Sequence, residues 1–235
     1  MLAQEQNKSK KEILTLSKVL NTNWKINTYH RKCRTGIRRN RPIKPKRIIM
    51  IDITNCFSDV YDSQSVDIIE IDSEKYNILK YELTFNVWKG KAIQNTFGGK
   101  TLVDVDGKAS FAELAIVDYL QRNGWNARWI GTYGRPPMTP FMLTEWNDVC
   151  YKEQVHVPIT DIDIHNTLVG IAKLNGNRFS GCWDVVAWKN GNILFLEAKR
   201  NKRDRIRSTQ IKWLKASLAY GLKCSNFIII QWDIK

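Results

Sequence analysis

Hydrophobic and polar positions change their period several times along this chain, and each change marks an element. Between Lys8 and Leu20, Ile13, Leu14, Leu16, Val19 and Leu20 fall on or near one helical face, which predicts a short amphipathic helix with its lysines in water. From Arg31 to Arg47 the run RKCRTGIRRNRPIKPKR has no acid and is broken by Gly36, Pro42 and Pro45, so it predicts a basic arm rather than a regular element. Strand-like runs follow: RIIMIDI, SVDIIEID, the alternating KYNILKYELTFNVW and TLVDVDG, separated by turn-forming residues.

At Ser110 the period lengthens. Ser110 and Glu113 have the spacing of a capping box, Phe111, Leu114, Val117 and Leu120 supply a buried side, and Gly124 suits a helix end. ARWIGTY then predicts a strand. The stretch from Gly134 to Ser180 contains PPMTPF, a short helix expected around Met142–Val149, and a polar run ending in NGNRFSG. Connections of that length often carry substrate contacts. The C-terminal pattern is the clearest: CWDVVAW and NILFLEA are adjacent strands joined by a Lys-Asn-Gly turn, RSTQIKWLKASLAYG is an amphipathic helix ending at Gly221, and NFIIIQW is a buried last strand. The expected organisation is an N-terminal helix and basic arm over 1–47, a small β-rich module over 48–109, and an α/β domain over 110–235.

Composition narrows the function. In 235 residues, 37 Lys and Arg against 23 Asp and Glu leave a net charge of +14, a field that attracts polyanions, nucleic acid foremost. No stretch approaches the roughly 20 apolar residues that span a bilayer, and MLAQEQNKSKKEIL lacks a secretion signal's apolar core. The expectation is an intracellular protein of the cytoplasm or nucleoid, neither secreted nor bound to membrane. Cys33, Cys56, Cys150, Cys182 and Cys224 are scattered and form no C-x-x-C pair, so they are taken as reduced thiols; His30, His156 and His165 are too dispersed to suggest zinc. Trp125, Trp129, Trp183, Trp188 and Trp213 fall in apolar patterns and are expected in the core.

One constellation carries chemistry. In the strand NILFLEAKR, side chains alternate faces, so Glu197 and Lys199 project together and Ala198 points the other way. A hairpin would bring Asp184 beside Glu197. Two carboxylates on one face repel unless a cation lies between them. Oxygen donors from Asp184, Glu197 and the Ala198 carbonyl suit Mg²⁺ or Mn²⁺, and Lys199 could orient an attacking water and offset charge on phosphorus. Such a set is adapted to phosphodiester hydrolysis. Arg200, Lys202, Arg203, Arg205, Arg207 and Lys212 follow at once and are candidates for flanking phosphates, as are Arg38, Arg39 and Arg41 of the arm.

The order W-D-V-V-A-W, L-E-A-K, T-Q-I-K-W-L and A-Y-G resembles the PD-(D/E)XK nuclease superfamily, and within it the VRR-Nuc (virus-type replication-repair nuclease) group, over roughly residues 110–235. The resemblance implies a restriction-endonuclease-like core, a mixed central sheet flanked by helices, with Asp184 and Glu197 as metal ligands and Lys199 as the catalytic lysine. It also implies that Gln210 acts near the active site and that Glu113 of the first helix helps hold metal or water, although capping-box spacing gives Glu113 a structural alternative. Two departures stand out: Trp183 replaces the proline before the aspartate, and the connection ahead of Asp184 is unusually long.

The resulting expectation is a Mg²⁺- or Mn²⁺-dependent DNA endonuclease, acting on repair or recombination intermediates or in defence, with no small-molecule cofactor. A non-catalytic nucleic-acid-binding module is the alternative from another class. A nuclease subunit active only within a transposition or defence complex is the third, and homodimerisation stays open.

Overall fold

In the computed structural model, residues 51–132 and 140–235 are described. The helix expected over Lys8–Leu20 and the basic arm with Arg38, Arg39 and Arg41 lie outside the described residues, as do His30, Cys33 and most of the PPMTPF run. The described residues belong to one compact unit.

Among the described residues, the unit is built on a nine-stranded mixed sheet. Its strands are β1 (Tyr61–Ile71), β2 (Glu74–Val87), β3 (Leu102–Val105), β4 (Lys108–Phe111), β5 (Asn126–Gly131), β6 (Phe141–Leu143), β7 (Val185–Lys189), β8 (Asn192–Arg200) and β9 (Phe227–Ile234). They lie in the order β4-β3-β2-β9-β8-β7-β5-β6, with β1 also paired to β2. β9 runs parallel to both of its neighbours, β2 and β8, and the other pairs are antiparallel. A strand covered on both faces has no polar side to show, which is why Phe227–Ile230 is an unbroken apolar run. Ile228 and Ile230 enter one core; Phe227 and Ile229 enter the other.

Helix α1 (Ala112–Arg122) covers one face, where Leu114, Val117 and Leu120 share a core with Leu83, Phe85, Val185 and Leu196. Helices α2 (Ile162–Leu174) and α3 (Ser208–Tyr220) pack on each other across the opposite face, burying Leu168, Ile171, Trp213 and Leu214 with Val186 and Phe195. The expected α/β class, a mixed sheet flanked by helices, is what the chain forms. β8 therefore sends Glu197 and Lys199 toward the α2–α3 face and Ala198 toward the α1 face.

Four expectations need correction. Residues 48–109 do not make a module with a core of its own, because β2 pairs with β9 from Leu79↔Ile228 to Phe85↔Ile234, and Phe57, Tyr81 and Val103 share their core with Leu114 and Val117. β9 needs a hydrogen-bonding partner on each edge, and β2 supplies the second. Within the same stretch, Ile51–Ile53 leads into a 3₁₀ turn at Thr54–Phe57 instead of forming a strand.

The capping box at Ser110 does not form. Ser110 belongs to β4, Phe111 is the N-cap without a side-chain bond, and Glu113 pairs elsewhere. No helix covers Met142–Val149 either; β6 pairs there with β5, and a 3₁₀ turn follows at Tyr151–Glu153. The long connection also holds α2, a helix that was not among the expected elements. Asp161 caps α2 by accepting the N–H groups of Asp163 and Ile164, and Ile164, Leu168, Ile171 and Ala172 form its buried stripe. Among the described residues, no helix is long and apolar enough to cross a membrane.

Candidate active site

The site begins with a hairpin. Asn190 and Gly191, at φ of 51° and 74°, make the tight turn between β7 and β8, with Lys189 facing Asn192 and Val185 facing Leu196. Asp184 then stands one residue beyond the ladder, beside Glu197. Its backbone N–H donates to Glu197 Oε2 at 3.2 Å, and its own Oδ2 accepts the Ala198 N–H at 3.1 Å. Its carbonyl accepts the Ile130 N–H at 2.7 Å, so β5 fixes Asp184 from the other side. The N–H and C=O of a strand residue point the same way, so the Ala198 carbonyl also faces the side of β8 on which Asp184 lies.

Glu197 is fully buried. Oε1 receives Lys199 Nζ at 2.8 Å and the Gln210 side-chain amide, while Oε2 receives the Asp184 N–H. Burial, followed by the negative charge of Asp184, holds the Glu197 carboxyl well above the usual carboxylate range, and Lys199 pulls it back down. A buried carboxyl whose proton affinity is raised, beside a half-buried second carboxylate, fits a hard divalent cation: the charge such an ion brings is what one lysine leaves uncompensated. Among the described residues, no three His, Cys, Asp or Glu side chains are grouped as a metal cage. The donors available are the two carboxylates and the Ala198 carbonyl.

Gln210 sits in the first turn of α3, where its Oε1 accepts the Arg207 N–H at 2.8 Å. Gly181 makes this approach feasible. It has φ of 84°, and a Cβ there would lie 2.0 Å from the Thr209 carbonyl oxygen, so only glycine lets the segment before β7 lie against the start of α3. Trp183, the residue standing for the expected proline, is fully buried, donates Nε1–H to the Gln210 carbonyl at 3.4 Å and meets Phe227 edge-on at 5.0 Å. It therefore ties β7 to α3, a role the sequence did not suggest. Cys182 beside it is buried, and burial together with Glu197 and Asp184 pushes its thiol well up, so it remains protonated and is no nucleophile. Cys56, Cys150 and Cys224 are free as well. Trp129, Trp188 and Trp213 are buried, as expected.

Asp184, Glu197, Ala198, Lys199 and Gln210 line a cavity of about 1000 Å³, which Glu113 also lines. Glu113 is not joined to Asp184 or Glu197; it is ion-paired with Lys100. Of the basic candidates, Arg200, Arg203 and Arg207 line the cavity. Lys202, Arg205 and Lys212 are exposed beyond it. Lys215, which would extend that surface, is paired with Asp72 at 2.6 Å.

The connection from Trp88 to Thr101 was not foreseen as part of the site. Asp148 accepts the Gln94 and Asn95 N–H groups at 2.9 and 2.8 Å, and Trp146 Nε1 donates to the Asn95 carbonyl at 3.0 Å. The long connection thus pins this segment so that Gly98, Gly99, Lys100 and Thr101 form one wall of the cavity. A Gly-Gly-Lys run between turn residues is too common a pattern to have revealed it. Comparison of the chain with protein-family models, with curated proteins and with solved structures returned no match.

Proposed function

We propose that this chain is a Mg²⁺- or Mn²⁺-dependent DNA endonuclease of the PD-(D/E)XK kind, with a restriction-endonuclease-like core. The observation that carries the reading is a polar cluster at the end of β8: Asp184, Lys199 and Gln210 each in contact with Glu197, at the wall of a cavity rimmed by arginines. The mixed sheet flanked by helices supports the same reading, with α1 ahead of β5, β7 antiparallel to β5 and β8, and α3 leading into β9, which runs parallel to β8.

Asp184, Glu197 and the Ala198 carbonyl are the groups that would hold the ion. When bound, it supplies a polarised phosphoryl oxygen and a water acidified toward neutral pH. Lys199 contributes its own charge. Held by Glu197, its ammonium group is fixed within the cavity, where it can orient a water and stabilise negative charge developing on the phosphate. Gln210 keeps the Glu197 carboxylate in one rotamer, the kind of support that ligating carboxylates need. Arg200, Arg203 and Arg207 offer charge for the flanking backbone. Branched or flapped DNA is the proposed substrate class.

The test is a panel of end-labelled duplex, single-stranded, flapped and four-way-junction DNA with Mg²⁺ or Mn²⁺. The wild type is expected to cut at least one substrate, and Lys199→Ala to lose about 10²–10⁴-fold in rate while binding within about threefold of wild type. Wild-type protein inert on the whole panel with either ion would sink the reading and favour a binding module.

A further inference from the structure

The connection between β2 and β3 brings a second cation into the cavity, one for which the hydrolytic cluster has no use. Lys100 Nζ is paired with Glu113 and lies 5.1 Å from the Trp129 ring centre and 5.9 Å from that of Phe97. Its side chain is one third exposed, so it is held but reachable. The next residue, Thr101, accepts Arg200 Nη1–H at 2.6 Å, and the Arg200 guanidinium lies 5.5 Å from the Trp232 ring. Asp204 accepts the backbone N–H of Arg200 at 3.2 Å. Lys100, Arg200, Arg203 and Arg207 against Glu113 and Asp204 leave net positive charge on this part of the cavity.

Access is also built in. Gly98 and Gly99 both have φ of 79°, and a Cβ on either would meet nothing within 4 Å, so the backbone leading to Lys100 borders open space. Aromatic rings beneath a cation hold it without consuming its donors. An ammonium group bound to a single carboxylate keeps donors for a phosphate, whose charge-assisted bonds are strong.

We propose that Lys100 and Arg200, the latter positioned by Thr101, form a phosphate-binding pair that grips a nucleic-acid backbone phosphate other than the one cleaved. This rests on the nuclease reading for the substrate, and it gives the N-terminal part of the sheet a function: it delivers one half of the grip. A backbone phosphate is met by the Lys100 donors that Glu113 leaves free.

The experiment is binding of fluorescein-labelled duplex DNA, followed by anisotropy in EDTA across a KCl series. Lys100→Gln is expected to bind about 3–10-fold more weakly at moderate salt, with the slope of log affinity against log salt smaller by about 0.9, as for one lost phosphate contact. A second measurement uses wild-type protein, so it does not depend on the variant folding: Lys100 acylation by an amine-reactive ester, read by mass spectrometry, should be slowed severalfold by DNA. Unchanged affinity and slope in a folded Lys100→Gln, or acylation of Lys100 at the same rate with and without DNA, overturns the pair. If Lys100 is protected but no DNA is cut with Mg²⁺ or Mn²⁺, the nuclease reading fails and the phosphate grip stands. If DNA is cut and Lys100 is unprotected, only the grip is lost.

Discussion

Gln210 holds Glu197 from a different element: its amide donates to Glu197 Oε1 in the fully buried interior of the sheet, while its carbonyl oxygen accepts the Arg207 N–H at the start of α3. One side chain thus satisfies a helix terminus and orients a candidate metal ligand. Gln210→Ala leaves the Arg207 N–H unpaired and removes one of the two donors to Glu197 Oε1. It should destabilise the protein by about 1–2 kcal/mol in urea unfolding and lower cleavage about 10–100-fold. A variant with full activity and an unchanged unfolding midpoint would show that Gln210 does neither job.

Asp184 is expected to be indispensable for ion uptake. Calorimetric titration of wild-type protein with Mn²⁺ should show binding that Asp184→Asn weakens at least about tenfold, since a carboxylate is a far better hard-cation donor than an amide. Equal uptake by both proteins would place the ion elsewhere.

The raised Glu197 carboxyl has a consequence for stability. Its folded-state pKa lies above the unfolded one, so between the two values the folded protein binds the extra proton. Its contribution to stability is therefore present at low pH and declines as pH rises from the ordinary carboxylate range toward the raised value. In metal-free protein, chemical-denaturation midpoints should fall over that window more steeply in wild type than in Glu197→Gln, which cannot titrate there. Mn²⁺ should restore the wild type at the upper end. Parallel pH profiles for the two proteins would contradict this.

Gly181 joins fold to site. A methyl group there would meet the Thr209 carbonyl in a backbone conformation unfavourable to L-residues, so Gly181→Ala should cost about 2–4 kcal/mol. It should also impair cleavage by shifting Asp184 from α3. A stable Gly181→Ala variant with normal activity would mean that the segment can move without harm.

Much of this was legible in the chain itself. Alternation placed Glu197 and Lys199 on one face of β8, the Lys-Asn-Gly turn set the hairpin that brings Asp184 alongside, and Gly221, at φ of 111°, ended α3 where the pattern stops. These are local consequences of backbone period and of conformations that glycine and asparagine reach cheaply. Helix α2 was also written locally, in Asp161 and the spacing of Ile164, Leu168 and Ile171, but a polar run around it masked the stripe.

Tertiary structure decided the rest. That β2 belongs beside β9 depends on pairing between segments nearly 150 residues apart, and nothing in the period of either strand names its partner. Glu113 has the spacing of a cap, yet it turned to Lys100 because Phe111 took the N-cap position and the β2–β3 connection delivered a cation. Trp183 became the tie between β7 and α3 only once Gly181 let those elements touch. Local chemistry chose the elements and the reactive trio; long-range pairing and close packing chose what surrounds them.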